Sequence, residues 1–327
     1  MTKITLLLLT LAGFLQAAGL DPSALAVLKP TLLVEVPGSP QMEPWSEGPV
    51  WRDGEVFSSN RPFVRVTSEG RALAYLDLHV AGTYLRGNGH ILLCEHFNKA
   101  LLDVSPEGEV RVVADQWDGE PLPGLNDVTA DAAGNLYFTS PQGSSRDKRI
   151  GRVFRVTPEG RVDRLAHELA FPNGLEVDPA SRHLFVIESQ TRLILRYALP
   201  RAEHSSLGEP DEFFDLGPDS SGGDGCAFDE HGNLWVAEFK RKDANGRIIV
   251  LSSEGNLLGE VAVPARLVTN LWFGGNDRNE LFIATGGPSG IFHAKSPVKG
   301  AVVHPVPRVS TVSALDLKPL NKPIQQP

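Results

Sequence analysis

The chain has 327 residues, 41% hydrophobic and 22% charged, a balance usual for a globular protein and unlike that of a disordered or collagenous chain. Its 31 Lys and Arg against 40 Asp and Glu leave a net charge of −9 with no basic run, which argues against nucleic acid as a partner. The 32 Gly and 25 Pro call for frequent turns.

In chain order, the first element is a leader. Lys3 precedes an apolar run over residues 4–15, and the small residues Ala17, Ala18 and Gly19 follow. The pattern reads as a signal peptide over 1–19, because the run is short for a membrane span. The rival readings are an N-terminal anchor or a buried helix. Export to the periplasm or the medium is therefore expected, with no membrane contact after cleavage and a monomer as the working form. Residues 31–36 form a strand-like segment that precedes every repeat below and is free to complete the last one.

From residue 47 onward one pattern, a turn residue followed by apolar residues, recurs six times. The copies are Asp53-Gly54-Glu55-Val56-Phe57, Asn88-Gly89-His90-Ile91-Leu92-Leu93, Gly134-Asn135-Leu136-Tyr137-Phe138, Arg182-His183-Leu184-Phe185-Val186, Gly232-Asn233-Leu234-Trp235-Val236 and Asn279-Glu280-Leu281-Phe282-Ile283. Their spacing of roughly 35 to 50 residues is that of four-stranded propeller blades. A second motif interleaves, as in Arg65-Val66-Thr67-Ser68-Glu69-Gly70-Arg71 and Arg155-Val156-Thr157-Pro158-Glu159-Gly160-Arg161, each a strand, a turn ending in Gly, and a strand. Two hairpins per unit make a blade, and no helical period competes outside the leader. The expected fold is all-β, a six-bladed propeller over residues 30–310 with a central metal site, followed by a disordered tail at 318–327. A barrel or a sandwich is the rival, but neither explains the unit length. Cys94 and Cys226 fall in apolar strands of opposite units, so both are expected buried and unpaired.

Nine to eleven residues before each apolar core lies the start of the unit's innermost strand. Five units carry a polar residue there: Glu47, Asn126, Asn173, Asp224 and Asn270; the second offers Gly82 or Thr83. Taken singly, Asn-Gly and Asp-Gly are ordinary turn dipeptides. Repeated at one slot around a ring, they converge on the axis. Two carboxylates with several amide oxygens suit a hard cation such as Ca²⁺, other divalent cations being possible, rather than zinc or copper.

Glu47-Gly48-Pro49-Val50-Trp51, Leu125-Asn126-Asp127, Phe171-Pro172-Asn173-Gly174, Asp224-Gly225 and Thr269-Asn270-Leu271-Trp272-Phe273-Gly274-Gly275 together resemble, in order, the motifs of the regucalcin (senescence marker protein), gluconolactonase and luciferin-regenerating-enzyme family. Leu92-Leu93-Cys94-Glu95-His96-Phe97-Asn98 is similar to a segment of its bacterial gluconolactonase branch. The resemblance implies a divalent ion, usually calcium, on Glu47, Asn173 and Asp224, with Asn126 beside it touching metal, water or substrate. It implies hydrolysis of sugar lactones to aldonic acids. Two departures fall near the expected pocket: Gly124 stands where regucalcin-like members carry Arg, and Thr139-Ser140-Pro141-Gln142-Gly143 replaces the branch's usual segment.

Within that expectation Asp224 is the candidate catalytic group, fitting either general base or nucleophile. Asn126, His96, Arg61 and Asn270 are candidate substrate contacts; for His96 and Arg61 a plain surface role is the alternative. No Gly-x-Ser-x-Gly elbow, Walker loop or His-Glu-x-x-His motif is present. The competing functions are an esterase or phosphotriesterase on the same site, and a non-catalytic, calcium-stabilised binding propeller.

Overall fold

In the third, fourth and fifth units the first repeat closes on a carboxylate. In the third unit Asp131 accepts hydrogen bonds from the Asn135 N–H (2.9 Å), the Asn135 amide (2.7 Å) and the Tyr137 hydroxyl (2.8 Å). Asp229 accepts in the same way from Asn233 and from the Trp235 indole. The side chain thus satisfies donors that the tight turn leaves bare. The second repeat closes on a hydroxyl: Thr67, Ser105, Thr157 and Ser252 each accept from the backbone N–H four residues on. These two devices fold successive strands back on one another.

The computed structural model describes residues 19–36, 46–200, 206–304 and 310–323. It has six antiparallel sheets of four or five strands. The first begins at Glu47–Arg52, the second at Val80–Leu85, the third at Val128–Ala130, the fourth at Pro172–Val177, the fifth at Gly223–Phe228 and the sixth at Leu267–Gly274. Each of these innermost strands packs against its two neighbours, and the first packs against the sixth, which closes the ring. Six apolar clusters, one between each pair of adjacent blades, make up the core.

The ring is latched as expected at its N-terminal end. Thr31–Glu35 pairs antiparallel with Gly290–Lys295 and supplies the sixth blade's outer strand. A short helix, Pro22–Ala26, capped by Asp21, sets Leu25 against the fifth blade's outer strand. Gly259 makes the room, since a Cβ there would stand 2.8 Å from Leu25 Cδ1. The tail differs from its expectation. Ser313–Leu315 adds an outer strand to the second blade and Lys322–Pro323 one to the first. These two short strands cover what would otherwise be open edges of both blades. Cys94 and Cys226 are buried and unpaired, in the second and fifth blades. The leader call lies outside the described residues, among which no helix is long and apolar enough to cross a membrane.

Candidate functional site

A β-bulge at the start of the inner strands builds the site. In the fourth blade Pro172 pairs with Glu188 and Leu175 with Val186, leaving Asn173 and Gly174 unopposed. The fifth blade does the same with Asp224 and Gly225, the second with Ala81 and Gly82, and the first with Gly48 and Pro49. Such an extra residue re-aims the side chains beside it. By register, Asn126, Asn173 and Asp224 share one slot, with Ala81 as the second blade's residue. Glu47 stands one residue upstream of that slot and Asn270 one residue downstream.

Around the next position the ring carries Pro49, Gly82, Asp127, Gly174, Gly225 and Asn270. The small residues leave space in which Asp127 and Asn270, from opposite blades, hydrogen-bond to one another across the axis. The fit is close: a Cβ on Gly225 would lie 2.0 Å from Asn270 Cγ, and one on Gly82 2.2 Å from Asp127 Oδ1. Hydroxyls knit the same level together, with Thr83 donating to the Gly48 carbonyl (2.5 Å) and Thr139 to that of Asn173 (2.6 Å).

Above this level opens a cavity of about 410 Å³ lined by Glu47, Asn126, Asp127, Asn173 and Asp224 at its base, and by Arg61, His79, His96, Phe171, Gln190 and Phe239 higher up. Of the sequence-derived candidates, Glu47, Asn126, Asn173, Asp224, His96 and Arg61 are brought together here. Asn270 is not. It lies beneath, against Asp127, with its carbonyl accepting the Leu271 N–H at 2.8 Å. The one-residue register offset sets Asn270 in the channel floor, outside the residues that line the cavity. The two sequence departures meet each other, since Gln142 Oε1 accepts the Gly124 N–H at 2.8 Å. Sequence reading missed Asp127, which stands beside Asn126, and His79, which directly precedes the second inner strand.

The electrostatics of the base are strained. The carboxyl groups of Glu47 and Asp224 lie within hydrogen-bonding reach of each other, and Asn173 hydrogen-bonds to Asp224. Burial, then the charge of Asp224 and of Asp127, pushes Glu47 well above the usual carboxylate range. Burial pushes Asp224 up to about 8 and Asp127 up to about 7. None of the three forms an ion pair with Lys, Arg or His among the described residues. No group of three or more His, Cys, Asp or Glu converges as a metal cluster among those residues. A cation here would rest on the two carboxylates of Glu47 and Asp224, completed by the amide oxygens of Asn126 and Asn173. That all-oxygen set, buried and lacking a protein counter-charge, fits a hard divalent ion.

At the mouth His79 and His96 stand 5.1 Å apart between ring centroids, and the His96 N–H donates to the His79 carbonyl at 2.8 Å. Burial, then the charge of His96 and Arg61, lowers His79 to about 4. The Arg61 guanidinium lies 4.8 Å over the ring of Phe97.

The model of the SMP-30/Gluconolactonase/LRE-like region matches residues 45–287. A pentonolactonase of Haloferax volcanii is 30% identical over 168 residues, 51% of this chain and 54% of its own length. A gluconolactonase of Zymomonas mobilis is 26% identical over 267 residues, 70% of this chain and 73% of its own. The chain thus spans about half of the first relative and nearly three quarters of the second. Among solved structures, a calcium-binding protein, regucalcin, from Agrobacterium tumefaciens superposes with a TM-score of 0.71 over 86% of this chain and 98% of its own, at 18% identity. With all six blades and the axial motifs inside or beside the matched span, the chain belongs to the SMP-30/gluconolactonase/LRE-like family.

Proposed function

We propose that this protein hydrolyses the ester bond of sugar lactones to give the open aldonic acids, with a divalent cation, calcium in our reading, held by Glu47, Asn126, Asn173 and Asp224. The observation that carries the proposal is the uncompensated Glu47–Asp224 pair at the base of an open cavity. Family membership and the names of the two lactonase relatives support it. When bound, the cation would supply Lewis-acid polarisation of the lactone carbonyl.

The chain's own residues provide the rest. Asp224, which lines the cavity, takes the proton of the attacking water as the carboxylate, the form that a bound cation would favour over the protonated form that burial alone favours. Glu47 and Asn173 fix Asp224 from either side, while Asn126 donates its amide to the ring or carbonyl oxygen. The Asp127–Asn270 contact closes the floor of the cavity. Export follows the composition of residues 1–19 alone and remains part of the proposal.

The test is proton release from glucono-1,5-lactone, measured against spontaneous hydrolysis, with Ca²⁺ and with chelator. Saturable acceleration that chelator abolishes and Ca²⁺ restores is expected. A folded, calcium-binding protein that gives no acceleration would leave another ester, or binding without catalysis, as the function.

A further inference from the structure

One wall of the cavity is built unlike the rest. Along the first blade, Ser59 pairs with Glu47 at the base, and Asn60 and Arg61 follow toward the mouth. His79 begins the next blade beside them, its neighbour Val80 donating its N–H to the Asn60 carbonyl. Three buried polar atoms on this wall have no hydrogen-bond partner among the described residues: Ser59 Oγ, Asn60 Nδ2 and His79 Nδ1. The Asn60 amide is not free to turn, because its Oδ1 accepts the Arg61 N–H at 2.6 Å. Its NH₂ end is thereby fixed as a donor, on a residue that lines the cavity. A buried polar atom without a partner is destabilising, so three on one wall mark a surface built to be met by something else.

The chemistry of that wall is donor-rich. Arg61 has five N–H donors and no acceptor, and it forms no ion pair among the described residues. Phe97, 55% exposed, lies beneath it, and the His79 ring packs 4.7 Å from that same ring. Stacking holds the guanidinium plane while leaving its N–H edge free. The carboxylates stand at the base of the cavity, at the other end of this wall. A ligand with its lactone carbonyl at Asp224 would thus present its far end to Arg61, Asn60 and His79.

We infer that Asn60, Arg61 and His79, at the mouth end of this wall, form a subsite for an anionic oxygen group on the substrate, so that the preferred lactone carries a carboxylate, sulfonate or phosphate distal to its ester. The inference rests on the lactonase reading and narrows its substrate class. A planar carboxylate meets the guanidinium through two parallel hydrogen bonds; the tetrahedral anions meet it with Asn60 and His79 as well.

The full-length chain is assayed on four 1,5-lactones with the same six-membered ring that differ in the group at the exocyclic C6: hydroxyl, carboxylate, sulfonate and phosphate. At least one anionic lactone is expected to exceed the neutral one in kcat/KM by about tenfold or more, the scale of one charged hydrogen bond, and comparison of the three anions identifies the group. Arg61→Gln is expected to bring that ratio close to one. Equal or better turnover of the neutral lactone, or an equal loss on all four substrates in Arg61→Gln, would overturn the subsite. If no lactone is turned over, the lactonase reading fails separately. Titration calorimetry with the dicarboxylate glucarate then decides the subsite: binding that Arg61→Gln abolishes upholds it, and no binding to the wild type overturns it.

Discussion

The two ends of the propeller channel hold the same ingredients and use them differently. Both bury carboxyl groups: Glu47, Asp127 and Asp224 at one end, and Glu176, pushed up to about 8 by burial, at the other. At the second end Glu176 accepts from the Thr129 hydroxyl and from the Val177 N–H, one carboxyl satisfied by two donors. Tyr84 and Trp272 pack edge to face beside it, and residues 301–304 cross that mouth, with Ala301 bonded to Phe228 and His304 to Gly87. The space left is about 50 Å³, against about 410 Å³ at the open end. Burial raises a carboxyl's pKa at both ends. Only convergence of several carboxyls on an accessible space makes a site that demands a cation, and the open end alone has that.

The largest effect is expected from Asp224→Asn. Turnover should fall by at least about 10³-fold, the scale for removing a group that touches the reacting atoms. In chelator near neutral pH the same variant should unfold at a higher temperature than the wild type, because a buried carboxyl that has to take up a proton on folding is gone. Lost activity with gained metal-free stability separates a functional carboxyl from a structural one. Activity within a few-fold of wild type would break the assignment of the open end.

Next in size is the pH dependence of the metal-free protein. Asp224 and Asp127 titrate near 8 and 7 when folded, against about 3.9 in an unfolded chain. Between those limits the folded state holds protons that the unfolded state has released. Stability therefore falls as pH rises from about 4 to about 8, by up to about 1.4 kcal/mol per pH unit for each proton so held. Bound Ca²⁺ keeps the carboxylates ionised and should flatten this slope. Thermal unfolding from pH 5 to 9, in chelator and in Ca²⁺, measures both; a midpoint in chelator that does not fall would contradict the strained pair.

Much of the fold was legible because the first five blades each carry at least one of two recurrent turn devices. Asp131 and Asp229 fix one hairpin, the hydroxyls of Thr67 and Thr157 the other, and both leave marks in the sequence. The site was legible in part. Asn126, Asn173 and Asp224 share a slot that spacing alone recovers. The bulges are not written in residue identity, so Glu47 and Asn270 were read as equivalents when they stand one residue to either side. Asp127 was hidden as the second half of an ordinary Asn-Asp pair, though its role depends on Gly82 and Gly225 clearing the axis. The unpartnered atoms of Ser59, Asn60 and His79 exist only once every other partner has been assigned, which no sequence pattern supplies.

The smallest effect, and the sharpest check on the comparison, belongs to Glu176→Gln. With its pKa near 8, Glu176 is mostly protonated at pH 7, so the amide preserves its charge state as well as its shape. The Gln Oε1 accepts the same two hydrogen bonds from Thr129 and Val177. Turnover and calcium affinity should stay within about twofold of wild type, the span of a 0.5 kcal/mol change. One path links the ends: the charge of Asp127 is among the influences that raise Glu176. Were the axis electrostatically continuous, removing the Glu176 carboxyl would ease ionisation of Asp127 and tighten calcium binding at the open mouth. An affinity shift beyond tenfold in Glu176→Gln, with the fold intact, would mean that the two ends form one charged column rather than a site and a plug.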